Sequence, residues 1–126
     1  MKMNTNYIVI LVLVIGLIAF KQLRTGQPKI SPTEAIRLLN DTDYKFIDVR
    51  TNSEFLSGHI QNSIHIPLQE IENRLNEIEQ IKQKNIIVYC RSGARSSNAT
   101  DILLKNNFNV QNLSGGILSW DGELVE

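Results

Sequence analysis

At 126 residues the chain is long enough for one compact domain and too short for two. With 42% hydrophobic and 21% charged residues it has the make-up of a folded protein, not a disordered one. Thirteen basic and thirteen acidic side chains cancel, but Lys2, Lys21, Arg24 and Lys29 lie in the first 29 residues, where no acid occurs. Residues 30–126 therefore carry an excess of acid, which argues against a nucleic-acid-binding face. A single cysteine, Cys90, excludes an internal disulfide framework and a Cys-rich zinc site. His59 and His65 alone are too few for a metal centre, and no cofactor is implied.

Tyr7 to Phe20 is an unbroken apolar run, counting Tyr7 and Gly16, and no charge occurs from Met3 to Phe20. As a helix these residues would span about 27 Å, the lower edge of what crosses a bilayer, with Lys2 and Lys21 placed to snorkel. No small-residue cleavage site follows Phe20, which argues against a signal peptide. No polar face interrupts the run, which argues against a buried helix of the domain. The expectation is a single-pass membrane anchor over residues 1–20, a linker over 21–29 containing Gly26 and Pro28, and a domain over 30–126. Lys21, Arg24 and Lys29 follow the run, so the positive-inside rule puts the domain on the cytoplasmic side.

From residue 30, short apolar strands alternate with helices. Ser31-Pro32-Thr33-Glu34 has the form of a capping box with proline at the first helical position, and Ala35, Leu38 and Leu39 form the stripe of that helix. Phe46–Val49 reads as a buried strand with Asp48 near its end. Asn52–Ser57 reads as a brief helix stopped by Gly58, and Ile64–Pro67 as another strand. Leu68, Ile71, Leu75 and Ile78 recur every three or four residues and predict an amphipathic helix over 68–81. Ile86–Tyr89 is apolar on both faces, the mark of a central parallel strand covered on each side. A helix marked by Ala99, Ile102 and Leu103 follows, with a left-handed stop at Asn106-Asn107. Phe108 and Val110 give one more strand, and Gly115-Gly116 turns into a short helix near Trp120. This alternation predicts an α/β fold with a small, mainly parallel sheet flanked by helices on both faces.

Ligands in such sheets bind beyond the carboxyl ends of the strands. Cys90 stands there, opening the loop Cys90-Arg91-Ser92-Gly93-Ala94-Arg95-Ser96 ahead of a helix. The helix N-terminus favours a thiolate, Arg91 and Arg95 add positive charge, and Gly93 lets successive amides curl around the sulfur. Ser96 is also placed to cap the helix. The implied chemistry is a thiolate nucleophile whose adduct is held by backbone N–H groups. A lone cysteine more often merely ends a core strand, but two arginines, a glycine and a helix start argue otherwise.

Residues 30–126 resemble a single rhodanese domain, the sulfurtransferase fold. The resemblance rests on Asp48-Val49-Arg50, Glu54-Phe55, Gly58-His59-Ile60 and Ile66-Pro67, then the Cys90–Ser96 loop, then Gly115-Gly116-Ile117 with Trp120. Asn62-Ser63 stands where the family often has Gly-Ala. The resemblance implies that Cys90 takes the outer sulfur of thiosulfate or a related donor as a persulfide and passes it to a thiol, a protein or cyanide. Arg91 and Arg95 would orient the anionic donor, and the amides from Arg91 through Ser92, Gly93, Ala94 and Arg95 to Ser96 would hold the persulfide. Asp48, Arg50, Glu54, His59 and His65 read as structural groups.

Three rivals stand against this. Phosphatases of the same fold carry a longer Cys-x5-Arg loop, whereas Arg95 gives Cys-x4-Arg here, and arsenate reduction would want a second thiol. A non-catalytic binding module at the membrane is the alternative from a different class; loss of Cys90 or the arginines would mark it, and all three are present.

Overall fold

The computed structural model describes the backbone of residues 2–24 and 26–126, and the side chains of all of these except 21–24. The elements run α1 (Thr5–Arg24), β1 (Lys29–Ile30), α2 (Pro32–Ile36), β2 (Tyr44–Asp48), α3 (Asn52–Leu56) and β3 (Ile64–His65). Two 3₁₀ segments, Leu68–Glu70 and Glu72–Ile81, lead to β4 (Asn85–Tyr89), α4 (Ala94–Lys105), β5 (Asn109–Leu113) and a last 3₁₀ turn, Gly116–Ser119.

The five strands form one sheet in the order β1-β5-β4-β2-β3, and every pairing between them is parallel. Side chains alternate across the strands, so each face acquires its own core. On one face Ile47, Val49, Ile86, Val88 and Val110 pack against Ala99 and Leu103 of α4, Ile71 between the two 3₁₀ segments, and Ile78 and Ile81 of the second. On the other, Phe46, Ile87, Tyr89 and Leu113 pack with Ala35 of α2, Ile60 and Trp120. The fold is the expected α/β arrangement. Its register pairs Asp48 with Tyr89, so β2 and β4 end level and Cys90 follows directly.

Two local expectations change. The helix over 68–81 is two 3₁₀ segments, with Arg74 at φ −121° breaking helical geometry. The apolar spacings explain this: Leu68 to Ile71, Leu75 to Ile78 and Ile78 to Ile81 are all steps of three, which suit three residues per turn. The helix opened by Ser31 is short. Ser31 Oγ accepts the Glu34 amide at 3.2 Å, but beyond Ile36 the chain continues as turns. Asn62-Ser63, standing where the family often has Gly-Ala, fits the turn differently at each position. Asn62 takes a left-handed φ of 62°, and Ser63 Oγ donates to the Ile60 carbonyl at 2.6 Å.

The membrane anchor is overturned. No helix among the described residues is long and apolar enough to cross a membrane. Residues 2–4 precede α1, and the helix is uncharged only from Thr5 to Phe20, about 24 Å of rise against the ~30 Å of a hydrocarbon core. The single-pass topology and the cytoplasmic-side placement drawn from it go with the anchor. The side chains of Lys21 and Arg24, on which the flanking-charge argument leaned, lie outside the described residues. The segment read as a linker is tied to the sheet: Lys29 lies in β1 and the Pro28 carbonyl accepts the Asn112 amide at 2.9 Å.

Candidate active site

Cys90 leaves the centre of the sheet and is fully buried. Gly93 takes φ 108°, a left-handed conformation that turns the loop back under the sulfur and starts α4 at Ala94. The Gly93 amide donates to Cys90 Sγ at 3.1 Å and the Ser96 hydroxyl lies 3.3 Å from the same atom. Burial pushes the Cys90 thiol up, but hydrogen bonds from the Ser96 side chain and from the amides of Ser96, Gly93 and Ser92 outweigh it. They hold the thiol below its ordinary value. The sulfur is thus cradled by the amide nest that Gly93 and the helix start foretell, with Ser96 as the leading donor.

Ser96 does not cap α4. Gly93 occupies the cap position, and Ser96, buried in the first turn, turns its hydroxyl to Sγ, to the Gly93 carbonyl at 3.2 Å and to Asn112 Oδ1 at 2.6 Å.

The arginines part company. Arg91 is exposed beside the loop. Arg95 is gripped by Glu54, Nη1 to Oε1 at 2.7 Å and Nη2 to Oε2 at 2.9 Å. Glu54 is set there by a reciprocal capping box: Thr51 Oγ1 accepts the Glu54 amide at 3.3 Å, and the Glu54 carboxylate accepts the Thr51 amide at 3.3 Å. Hydrogen bonding by the Arg95 guanidinium holds the Glu54 carboxyl down at about 2, against the opposing pull of burial. The same pairing raises the Arg95 guanidinium, and the charge of Cys90 adds to that rise. Ala94 is exposed at the first helical position.

Asp48 and Arg50 form a buried pair, with Arg50 Nε 3.0 Å and Nη2 2.7 Å from Asp48 Oδ2. Arg50 also donates to the Gly58 carbonyl at 2.7 Å, tying the end of β2 to the turn after α3. Phe55 lies between two imidazoles, stacked on His59 at 3.7 Å and on His65 at 4.4 Å between ring centroids. His65 Nε2 donates to the Arg50 carbonyl at 2.8 Å and His59 Nδ1 to the Phe55 carbonyl at 3.0 Å. All of these groups hold neighbouring loops together. Among the described residues no group of three or more His, Cys, Asp or Glu could hold a metal ion.

The Gly115-Gly116-Ile117 motif braces the loop from behind. The Ile117 amide donates to the Cys90 carbonyl at 2.9 Å and the Leu118 amide to the Arg91 carbonyl at 3.1 Å. A Cβ on Gly116 would fall 2.5 Å from the Arg91 carbonyl oxygen and 2.6 Å from that of Cys90, so only glycine fits. Sequence reasoning missed Asn112, a buried polar residue of β5 whose Nδ2 donates to the Gly93 carbonyl at 3.1 Å. The available signal was its parity: Asn112 shares the inward face of Val110, where a polar residue needs a partner.

The sequence model of the Rhodanese-like domain matches residues 31–123. A protein named sulfurtransferase from Allochromatium vinosum is 38% identical over 85 residues, covering 67% of this chain and 78% of that one. The tRNA uridine(34) hydroxylase of Yersinia pestis is 33% identical over 89 residues, and the match spans only 25% of its length. Among solved structures, a rhodanese-related protein from Thermoplasma volcanium superposes with a TM-score of 0.72 at 30% identity, covering 78% of this chain and 97% of that one. A rhodanese-like domain protein from Staphylococcus aureus gives 0.71 at 27% identity, covering 79% and 99%. A central strand that ends on a cysteine cradled by its own loop, matched along most of the domain, places this chain in the rhodanese-like domain family.

Proposed function

We propose that the protein is a rhodanese-type sulfurtransferase that carries sulfane sulfur on Cys90. The observation that carries this reading is the donor set on Sγ: an amide at 3.1 Å and a hydroxyl at 3.3 Å, placed to hold a negative sulfur. The likeness to a protein named sulfurtransferase supports it.

With thiosulfate as donor, the Cys90 thiolate attacks the outer sulfur, a Cys90 S–S bond forms, the donor S–S bond breaks, and sulfite leaves with that bonding pair. The terminal persulfide sulfur is then attacked by a thiolate or cyanide acceptor, and the electron pair of the broken bond returns to Cys90 as thiolate. No oxidant or reductant is consumed. Arg91, exposed at the loop, orients the anionic donor. Arg95, with two nitrogens held by Glu54, acts through its positive field, and the amides of residues 91–96 hold the persulfide. Because Cys90 is fully buried, a donor reaches the sulfur only when side chains at the mouth of the loop move apart.

Incubation of the purified protein with thiosulfate, followed by intact mass measurement, tests this. A gain of one sulfur atom that is absent in Cys90→Ser and removed by cyanide is expected. No gain with thiosulfate or an organic persulfide would overturn the reading and leave the domain a binding module.

A further inference from the structure

A single hydroxyl proton faces three acceptors beside the sulfur. Ser96 Oγ lies 2.6 Å from Asn112 Oδ1, 3.2 Å from the Gly93 carbonyl and 3.3 Å from Cys90 Sγ, and it has one proton to donate. The surroundings of Asn112 decide which way its carboxamide points. Its Nδ2 faces the Gly93 carbonyl at 3.1 Å and Gln27 Oε1 at 3.4 Å. Gln27 is fixed in turn, because its Nε2 lies 2.6 Å from the Ser97 carbonyl and 2.9 Å from the Asp101 carboxylate, neither of which donates. The chain Gln27–Asn112 therefore presents a carbonyl oxygen, not an amide, to Ser96.

We propose that Asn112 is a positioning residue that competes with Cys90 for the hydroxyl proton of Ser96. The O–H points to Asn112 Oδ1 while the sulfur is a neutral thiol, and rotates about Cβ–Oγ to Sγ when the sulfur is a thiolate or persulfide anion. No proton leaves Ser96. A thiol is a weak acceptor and a charged sulfur a strong one, so the preference reverses on ionisation. The reversal strips Oδ1 of its donor at a site only 5% exposed, and that loss restrains ionisation of Cys90. The proposal rests on the reading of Cys90 as the reactive sulfur, and it makes Asn112 the group that sets how readily that sulfur becomes charged.

The test follows the ultraviolet absorbance of the Cys90 thiolate against pH in the full chain, with no sulfur donor present, so a failure of sulfur transfer does not affect it. Asn112→Leu, which removes the acceptor at similar size, is expected to lower the thiolate midpoint by about 0.5–1 pH unit. In a Ser96→Ala background the same substitution is expected to leave the midpoint where Ser96→Ala puts it. A midpoint that is unchanged or raised by Asn112→Leu, or an equal shift in both backgrounds, would overturn the competition. Should Asn112→Leu not fold, NMR of the native chain decides instead. The Asn112 side-chain carbonyl carbon is expected to move upfield, as for a lost hydrogen bond, with the midpoint of Cys90 and not in Cys90→Ala. A carbon that stays still or moves downfield would overturn the proposal.

Discussion

Glu54 and Arg95, 41 residues apart in the chain, meet in two parallel bonds of 2.7 and 2.9 Å beside the cysteine loop. The pair joins α3 to the first turn of α4, so one of the two loop cations is partly neutralised in the resting protein.

Glu54→Gln separates these effects. It removes a bidentate, partly exposed pair and is expected to cost about 1 kcal/mol of stability at neutral pH. The Glu54 carboxyl is depressed to about 2, so its contribution is complete above its unfolded value of 4.5 and fades as pH falls towards 2. Denaturant unfolding of the native chain and Glu54→Gln should therefore differ at pH 7 and converge towards pH 2. With the carboxylate gone, the full Arg95 charge acts on the sulfur, and the thiolate midpoint of Cys90 should fall by a few tenths of a unit.

Gly116→Ala drives a methyl group into the carbonyls of Cys90 and Arg91 at a left-handed φ of 60°. The expected loss is about 2–4 kcal/mol, read as a lowered thermal midpoint. Gly16→Ala, a helical position where nothing lies within 4 Å, should not lower the midpoint and serves as the control.

Arg50→Ala leaves Asp48, at 0% exposure, without its cation and frees the Gly58 carbonyl. Breaking a buried pair from one side is expected to cost about 3–5 kcal/mol in denaturant unfolding. Arg50→Lys cannot reproduce the bidentate contact together with the third bond to Gly58, and is expected to recover only part of it.

What the sequence revealed follows from how local each signal is. Ile86–Tyr89 was legible because a strand buried on both faces must be apolar throughout, and the cysteine loop because its glycine and helix start follow within six residues. The Glu72–Ile81 segment was misread because steps of three and four suit an α-helix and a 3₁₀ turn almost equally. The uncharged stretch of α1 is shorter than the sequence suggests because an uncharged run does not say where a helix begins; the helix begins at Thr5, not Met3. Asn112 and the Glu54–Arg95 pair were invisible because their partners lie 16 and 41 residues away, and only the parallel sheet brings them together.

Sulfur transfer at Cys90 requires the loop to hold the sulfur as an anion, and titration of the thiolate absorbance in the native chain and in Ser96→Ala measures that directly. The native midpoint is expected below the ordinary thiol value, with Ser96→Ala raising it by about one unit. A native midpoint at or above that value, unmoved by Ser96→Ala, would contradict it.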